Sequence, residues 1–272
     1  MTAIFRIRRS LLALSLAVTF AGACAQAQPE KNNYQPQVGQ EGKDVIWVPT
    51  PQALVEKMLD IAKATPNDFV IDLGSGDGRT VITAARRGIR ALGIEYNSEM
   101  VELSKRNAAK AGVSDRATFV KADLFDSDFS KATVITMFLL PDINISLRPK
   151  ILNLKPGTRI VSNSFTMGDW EEDDMVRVKD GCASYCTAYL WIVPAKVEGT
   201  WQLGDGELTL KQTYQMISGS LTRGGKTVQL ANGKLNGDHI TFNAGGSVYH
   251  GTVTGNSMAG TISSGGNWKA DR

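Results

Sequence analysis

Apolar and polar positions change their rhythm near Pro194, and the change divides the chain. Before that point, short apolar runs alternate with segments whose apolar residues recur every three or four positions. The runs at 69–73, 90–95, 117–121, 133–139 and 158–164 predict buried strands. The spacing between them predicts helices over 51–63, 78–87 and 98–111. Thr50 as N-cap and the Pro51 ring suit the first helix start, and Leu54, Met58, Leu59 and Ile61 give that helix an apolar face. Gly88 and Gly112 stop the second and third helices. A hairpin of 175–180 and 187–193 completes the set. Strands and helices alternating at this spacing predict an α/β fold over 46–195, with a doubly wound, mostly parallel sheet.

After residue 196 no helical period survives. Of the 27 glycines, 15 lie there, separating short alternating runs such as GTWQL, ELTLKQ, TVQLA, HITFNA, SVYHGTV and SMAGTI. This predicts a small antiparallel β domain over 196–272, a meander closed or half-closed as a barrel. Trp201 and Trp268 belong in its core.

The amino end changes the picture of where the chain works. Arg6, Arg8 and Arg9 form a basic start, Leu11 to Ala21 an apolar stretch, and Ala25-Gln26-Ala27 a small-residue cleavage site. Residues 1–27 therefore predict a signal peptide and a periplasmic or envelope location. Ala21-Gly22-Ala23-Cys24 is the alternative, a weak lipobox, so contact with a membrane is expected only through this segment, uncleaved or lipidated. Residues 28–45, polar and with Pro29 and Pro36, predict a flexible arm. Cleavage removes three arginines and no acid, which cancels the whole-chain charge of +3. A neutral mature chain lacks the basic footprint of a nucleic-acid partner. Cys182 and Cys186 read as a loop disulfide or two free thiols, with a zinc half-site as the alternative. Only two histidines exist. That argues against histidine-ligated metal and Ser-His-Asp chemistry, and no metal is expected.

The chemistry concentrates at 69–79, FVIDLGSGDGR, and at LGIEYN, where Glu95 ends the next strand. A dinucleotide fingerprint wants G-x-G-x-x-G. Here the third glycine comes one residue early, at Gly78, with Arg79 in the expected place, and Asp72 precedes the first glycine by two. This turn resembles motif I of the class I S-adenosylmethionine-dependent methyltransferases, which have a Rossmann-like sheet. The resemblance implies S-adenosyl-L-methionine as cofactor. Gly74, Ser75 and Gly76 would pass beneath it, where a side chain would collide. Asp72 would meet its amino group, Glu95 the ribose hydroxyls, Asp123 the adenine amino group, and Leu124 the ring.

Five blocks narrow the resemblance: VPTP (48–51), DLGSGDGR (72–79), KADLFD (121–126), MFLLPD (137–142) and PGTRIVSNSFTMGDW (156–170). They look like the mitochondrial lysine methyltransferases that act on ATP synthase and on the adenine nucleotide translocase, and closer still to bacterial relatives of these. Over 44–194 this implies a protein lysine acceptor near Leu140–Asp142 and a cofactor contact near Thr50. No catalytic residue is assigned; the acceptor-side candidates are Trp47, Asp142, Phe165 and Trp170. The block after strand 4 reads LLPD, not the D/N-P-P-Y that holds a flipped base, which again disfavours nucleic acid. The EEDD run at 171–174 reads as a solvated loop. Two further readings stay open because the methyl donor is made in the cytoplasm. One is an exported nucleoside-binding module without turnover, its β tail engaging an envelope partner; the other is a small-molecule methyltransferase.

Overall fold

A computed structural model describes residues 1–2 and 34–272; the expected export segment, Cys24 and the start of the polar arm lie outside the described residues. Five apolar runs become parallel strands: β1 (Phe69–Leu73), β2 (Arg90–Glu95), β3 (Ala117–Lys121), β4 (Val134–Met137) and β5 (Arg159–Asn163). With the antiparallel β6 (Asp174–Arg177) and β7 (Thr187–Ile192), the seven-stranded sheet runs β3-β2-β1-β4-β5-β7-β6. Successive residues of a strand face opposite sides. Val70, Val134 and Val161 accordingly pack with Leu54 and Met58 of α1 (Gln52–Ile61), Val81 of α2 (Arg79–Arg86) and Val101 of α3 (Ser98–Lys110). Ile71, Leu73, Ile135 and Ile160 face the other way, onto Leu147 and Ile151 of α4 (Pro141–Ile151) and onto Trp170 and Trp191. With helices on both faces, the sheet is doubly wound as expected.

Four details depart from the sequence reading. Helix α4 is new: with Pro141 and Pro149 and only Asn144, Leu147 and Ile151 buried, its segment lacks a readable helical stripe. Strand β4 stops at Met137, which frees Phe138, Leu139 and Leu140 to line a cleft. Thr50 does not cap α1. Pro51 holds the N-cap position without a side-chain bond, and Thr50 Oγ1 instead accepts from Asn163 Nδ2 at 3.3 Å. Residues 34–45, read as part of a flexible arm, are tied to the chain that follows: Gly39 N–H donates to Trp47 O and Trp47 N–H to Gln40 O, both at 2.9 Å. A Glu41–Ile46 bridge adds to this.

The tail forms a second, wholly antiparallel sheet of nine strands: β8 (Gly199–Leu203), β9 (Gly206–Thr213), β10 (Met216–Arg223), β11 (Lys226–Gln229), β12 (Ala231–Asn236), β13 (His239–Ala244), β14 (Ser247–Thr254), β15 (Ser257–Ile262) and β16 (Asn267–Asp271). Strand β10 pairs with β9 along its whole length. Its other edge is shared, β12 taking Met216 and Ile217 and β11 taking Ser220–Arg223. The β9–β10 ladder closes the ring, so the meander is a barrel with β11 as a side hairpin; closure removes the exposed edges of an open sheet. Strands β10, β12 and β16 are not among the readable runs. Gly219 interrupts β10 because a Cβ there would stand 1.9 Å from Thr209 O, at φ +142°. Trp201, Leu208, Leu210, Ile240, Phe242, Met258 and Trp268 fill the interior.

The barrel rests against the loop after β5. Tyr214 stacks on Trp170 with centroids 5.8 Å apart. Gln215 Nε2 donates to Glu171 O at 2.8 Å, and Lys234 pairs with Asp173 at 3.1 Å. Asp173, in the acidic run read as solvated, is thus largely buried. Among the described residues no helix is long and apolar enough to cross a membrane.

Phe242 is fully buried and stacks on Tyr249 at 4.8 Å. Phe242→Ala should cost about 3–5 kcal/mol in denaturant unfolding, the range for removing a core aromatic; a change under about 1 kcal/mol would mean that the barrel interior is not a packed core.

Candidate functional site

Between β1 and α2 the chain makes a turn that side chains forbid. Gly74, Gly76 and Gly78 sit at φ of 75°, 54° and 81°. A Cβ on Gly78 would lie 2.7 Å from the Phe119 ring, and one on Gly76 2.7 Å from Trp47 Nε1. The turn is gripped by its neighbours. Gly74 and Ser75 N–H donate to Ile94 O at 2.9 and 3.0 Å. Glu95, at the end of β2, accepts Gly76 N–H on Oε2 and Asn97 N–H on Oε1, both at 2.9 Å. From α3, Ser104 Oγ donates to Gly76 O at 2.8 Å and Asn107 Nδ2 to Asp77 O at 3.0 Å. Arg79 binds the Asp77 carboxylate at 3.0 and 2.6 Å, and reaches Thr50 O at 2.8 Å. Sequence reading missed Ser104 and Asn107; their signal is polarity on the inward side of α3.

The turn floors a cleft of about 710 Å³, opening at the carboxyl ends of the parallel strands where ligands of open α/β sheets bind. Thr50, Asp72, Gly74, Ser75, Gly76, Glu95, Asp123 and Leu124 all line it, as do Trp47 and Phe165. Two acceptor-side candidates do not. Trp170 is fully buried between Trp191 and Tyr214, so it is core. Asp142 is exposed in the first turn of α4, outside the lining, where an acid suits the helix dipole.

The cleft fits a nucleoside bearing an amino-acid tail. Each Glu95 oxygen accepts one backbone bond and keeps a second lone pair, the pattern a vicinal diol needs. Ser75 Oγ is buried with no partner. Gly76 leaves room for the Trp47 ring to close over the turn at the cleft's edge. Asp72 is buried, accepting from Thr136 Oγ1 at 2.6 Å. Burial pushes its carboxyl up to about 7; the Thr136 bond opposes this, and the charges of Glu95 and Asp77 add to it. Asp123 is ion-paired with Lys43, whose hydrogen bond holds its carboxyl below the usual range. Lys43 also lies over the Tyr96 ring, 5.1 Å from its centroid. That pair is exposed and therefore weak, leaving Asp123 free to change partners.

Beyond this seat the lining becomes aromatic. Phe138, Phe165 and Tyr185 touch one another, with centroids 5.1–6.1 Å apart. Glu41, Asp44, Asp72, Asp77, Glu95 and Asp123 line the cleft against two cations, Lys43 and Arg79. Phe138 and Tyr185 went unread in the sequence, Phe138 because its apolar run continues past the end of β4. The Cys182–Cys186 pair is a disulfide, the first of its readings.

Comparison with known proteins agrees with this geometry. A family model described as the ANTKMT methyltransferase domain matches residues 72–174, and a DNA methylase model matches 26–106. A protein-lysine N-methyltransferase of Saccharolobus islandicus (strain REY15A) is 45% identical over 152 residues, covering 55% of this chain and 94% of that protein. The adenine nucleotide translocase lysine N-methyltransferase of Mus musculus is 34% identical over 129 residues, 47% of this chain; the chain spans little more than half (56%) of that relative. The crystal structure of an RNA methyltransferase from Salinibacter ruber with S-adenosyl-L-homocysteine is 43% identical; it covers 55% of this chain and 96% of its own, with a TM-score of 0.52. A glycine turn, a diol-ready Glu95 and a match over nearly the whole Saccharolobus protein lead to one conclusion: the chain belongs to the protein-lysine methyltransferase family of S-adenosylmethionine-dependent enzymes.

Proposed function

We propose that this chain methylates the ε-amine of a lysine in a protein, and that it works outside the cytoplasm. One observation carries the reading: a single acid-lined cleft joins a nucleoside seat to an aromatic wall. When bound, S-adenosylmethionine supplies a sulfonium methyl already activated toward a nucleophile. The residues around it therefore bind and orient, and positioning provides most of the acceleration. Glu95 accepts the ribose hydroxyls, Asp123 the adenine amino group once Lys43 lets go, and Asp72 the methionine amino group.

A lysine must lose its proton to attack. The cleft's acids draw the cation in, and desolvation on entry lowers its pKa. The same acids repel a phosphate backbone, which disfavours RNA or DNA as acceptor. The signal-like amino end and the Cys182–Cys186 disulfide support an oxidising envelope compartment.

Calorimetry tests the donor seat. S-adenosylmethionine and S-adenosylhomocysteine should bind with micromolar Kd, and Glu95→Ala should weaken both at least about tenfold, or roughly 1.4 kcal/mol. Absence of binding by the parent chain would remove the donor reading. Labelled donor incubated with envelope extract then tests the acceptor: label should appear as methyllysine after acid hydrolysis, and label confined to nucleic acid or small molecules would refute it.

Asp72 gives a pH test. A carboxyl raised to about 7 in the folded protein stabilises it as the neutral acid. That contribution is full below the ordinary carboxylate pKa and is lost as pH rises through 7. Asp72→Asn should thus stabilise the ligand-free protein at pH 8, on the order of 2 kcal/mol, and by less at pH 5, while donor affinity drops. Thermal unfolding at the two pH values reads the sign, and a lower Tm at pH 8 contradicts the assignment. In the parent protein, donor affinity should fall as pH goes from 8 to 6.

A further inference from the structure

The structure assigns a cation-receiving wall to Phe138, Phe165 and Tyr185, held in shape by the Cys182–Cys186 disulfide; the assignment rests on the lysine reading above. Phe138 and Phe165 lie nearly parallel, 21° apart with centroids separated by 6.0 Å. Tyr185 leans across both, at 59° and 53°, with centroids 5.1 and 6.1 Å away. Rings this close touch, so they cannot surround an ammonium. They form a corner against which a lysine amine, and better its methylated product, rests on one side. All three line the cleft that holds the donor seat, and Tyr185 remains 43% exposed. Aromatic faces attract alkylammonium groups electrostatically, and more strongly where water is displaced.

The backbone shows that Tyr185 is placed at some cost. Its φ is 55°, a left-handed conformation uncommon for a bulky residue. Ser164, next to Phe165, is likewise left-handed at φ 61°. The two meet across the site: Ser164 N–H donates to Thr187 O at 2.7 Å, two residues after Tyr185. Strained residues persist only where surrounding structure overdetermines them. For Tyr185 the determinants are the disulfide, which closes a ring of five residues around it, and Val178 N–H bonding to Cys186 O at 2.9 Å. Opening the disulfide releases one end of that ring and lets Tyr185 return to negative φ, away from the two phenylalanines. The disulfide therefore positions an acceptor-side ring and leaves the donor seat alone.

The test uses the full chain, oxidised, saturated with S-adenosylhomocysteine and titrated by NMR with free trimethyllysine. The uncharged isostere, with carbon in place of the quaternary nitrogen, is the control. The expected result is trimethyllysine binding at least fivefold tighter than the isostere, with shifts on the Tyr185 and Phe165 rings. Tyr185→Phe should keep that preference and Tyr185→Leu should bring it near unity. Cys182→Ser combined with Cys186→Ser, or reduction of the parent by a dithiol, should also abolish most of it while S-adenosylhomocysteine affinity stays within twofold. Equal binding of cation and isostere by the parent, or an undiminished preference in Tyr185→Leu, overturns the wall. A preference that survives loss of the disulfide overturns its positioning role. The two readings fail separately: a chain that methylates lysine without cation preference refutes only the wall. One that prefers the cation but transfers methyl to no amine refutes the lysine reading.

Discussion

Gly76 is held through both of its flanking peptides, its N–H by Glu95 and its carbonyl by Ser104, and the cleft depends on that grip. Left-handed backbone at three glycines costs conformational entropy on folding, and the turn stays put because buried partners on β2 and α3 leave it no alternative. Glu95 consequently has two tasks. It locks the turn with one lone pair per oxygen and offers the remaining pairs to the cleft. A seat built this way is organised before any ligand arrives, which removes part of the ordering cost of binding. The same carboxylate's charge adds to the burial that raises the Asp72 carboxyl to about 7, so the donor seat's geometry and its charge state are coupled through one side chain.

The proposed acceptor side is assembled differently. Its rings come from the end of β4, the loop after β5 and the β6–β7 loop, three segments distant in sequence. The loop after β5 is held by Asn144, whose Nδ2 donates to Phe165 O and Thr166 O at 3.3 and 3.2 Å. Arg148 reaches Met167 O at 2.6 Å and lies 5.3 Å from the Tyr214 ring centroid. Tyr214 and Gln215 then tie that loop to the barrel. The barrel interior is filled with side chains, so its contribution to the cleft is mechanical: it backs the loop that carries Phe165 and Trp170.

This contrast explains what the sequence made legible. The donor seat follows one stretch of chain, β1-turn-α2-β2, where strand hydrophobicity, glycine spacing and a terminal acid coincide, so Gly74, Gly76 and Glu95 could be read directly. The acceptor wall has no local signature. Phe138 looked like strand because MFLL is uniformly apolar, and Tyr185 looked like loop. Trp170 reads equally as a mouth aromatic or as core, because the partner that settles it, Tyr214, lies 44 residues away in a turn between strands. Helix α4 was hidden by its two prolines, and β10 by a glycine that close approach of Thr209 requires. For Trp170 and β10 a long-range contact concealed the local pattern; for α4 and Phe138 the local pattern itself was ambiguous.

The matched family model ends at residue 174, and this boundary separates two kinds of specificity. Every residue assigned to the donor from Asp72 to Leu124 lies inside it, as do Phe138 and Phe165. Tyr185, its disulfide and the barrel residues that brace the loop lie beyond it. Only contacts that differ between competing acceptors can select among them. The donor seat sees the same ligand whatever the acceptor, so selection must reside in the mouth. There, segments beyond the matched model supply the third ring and the support behind the second. On the proposed reading, a reducing environment would act on the Tyr185 ring and spare the Glu95 grip.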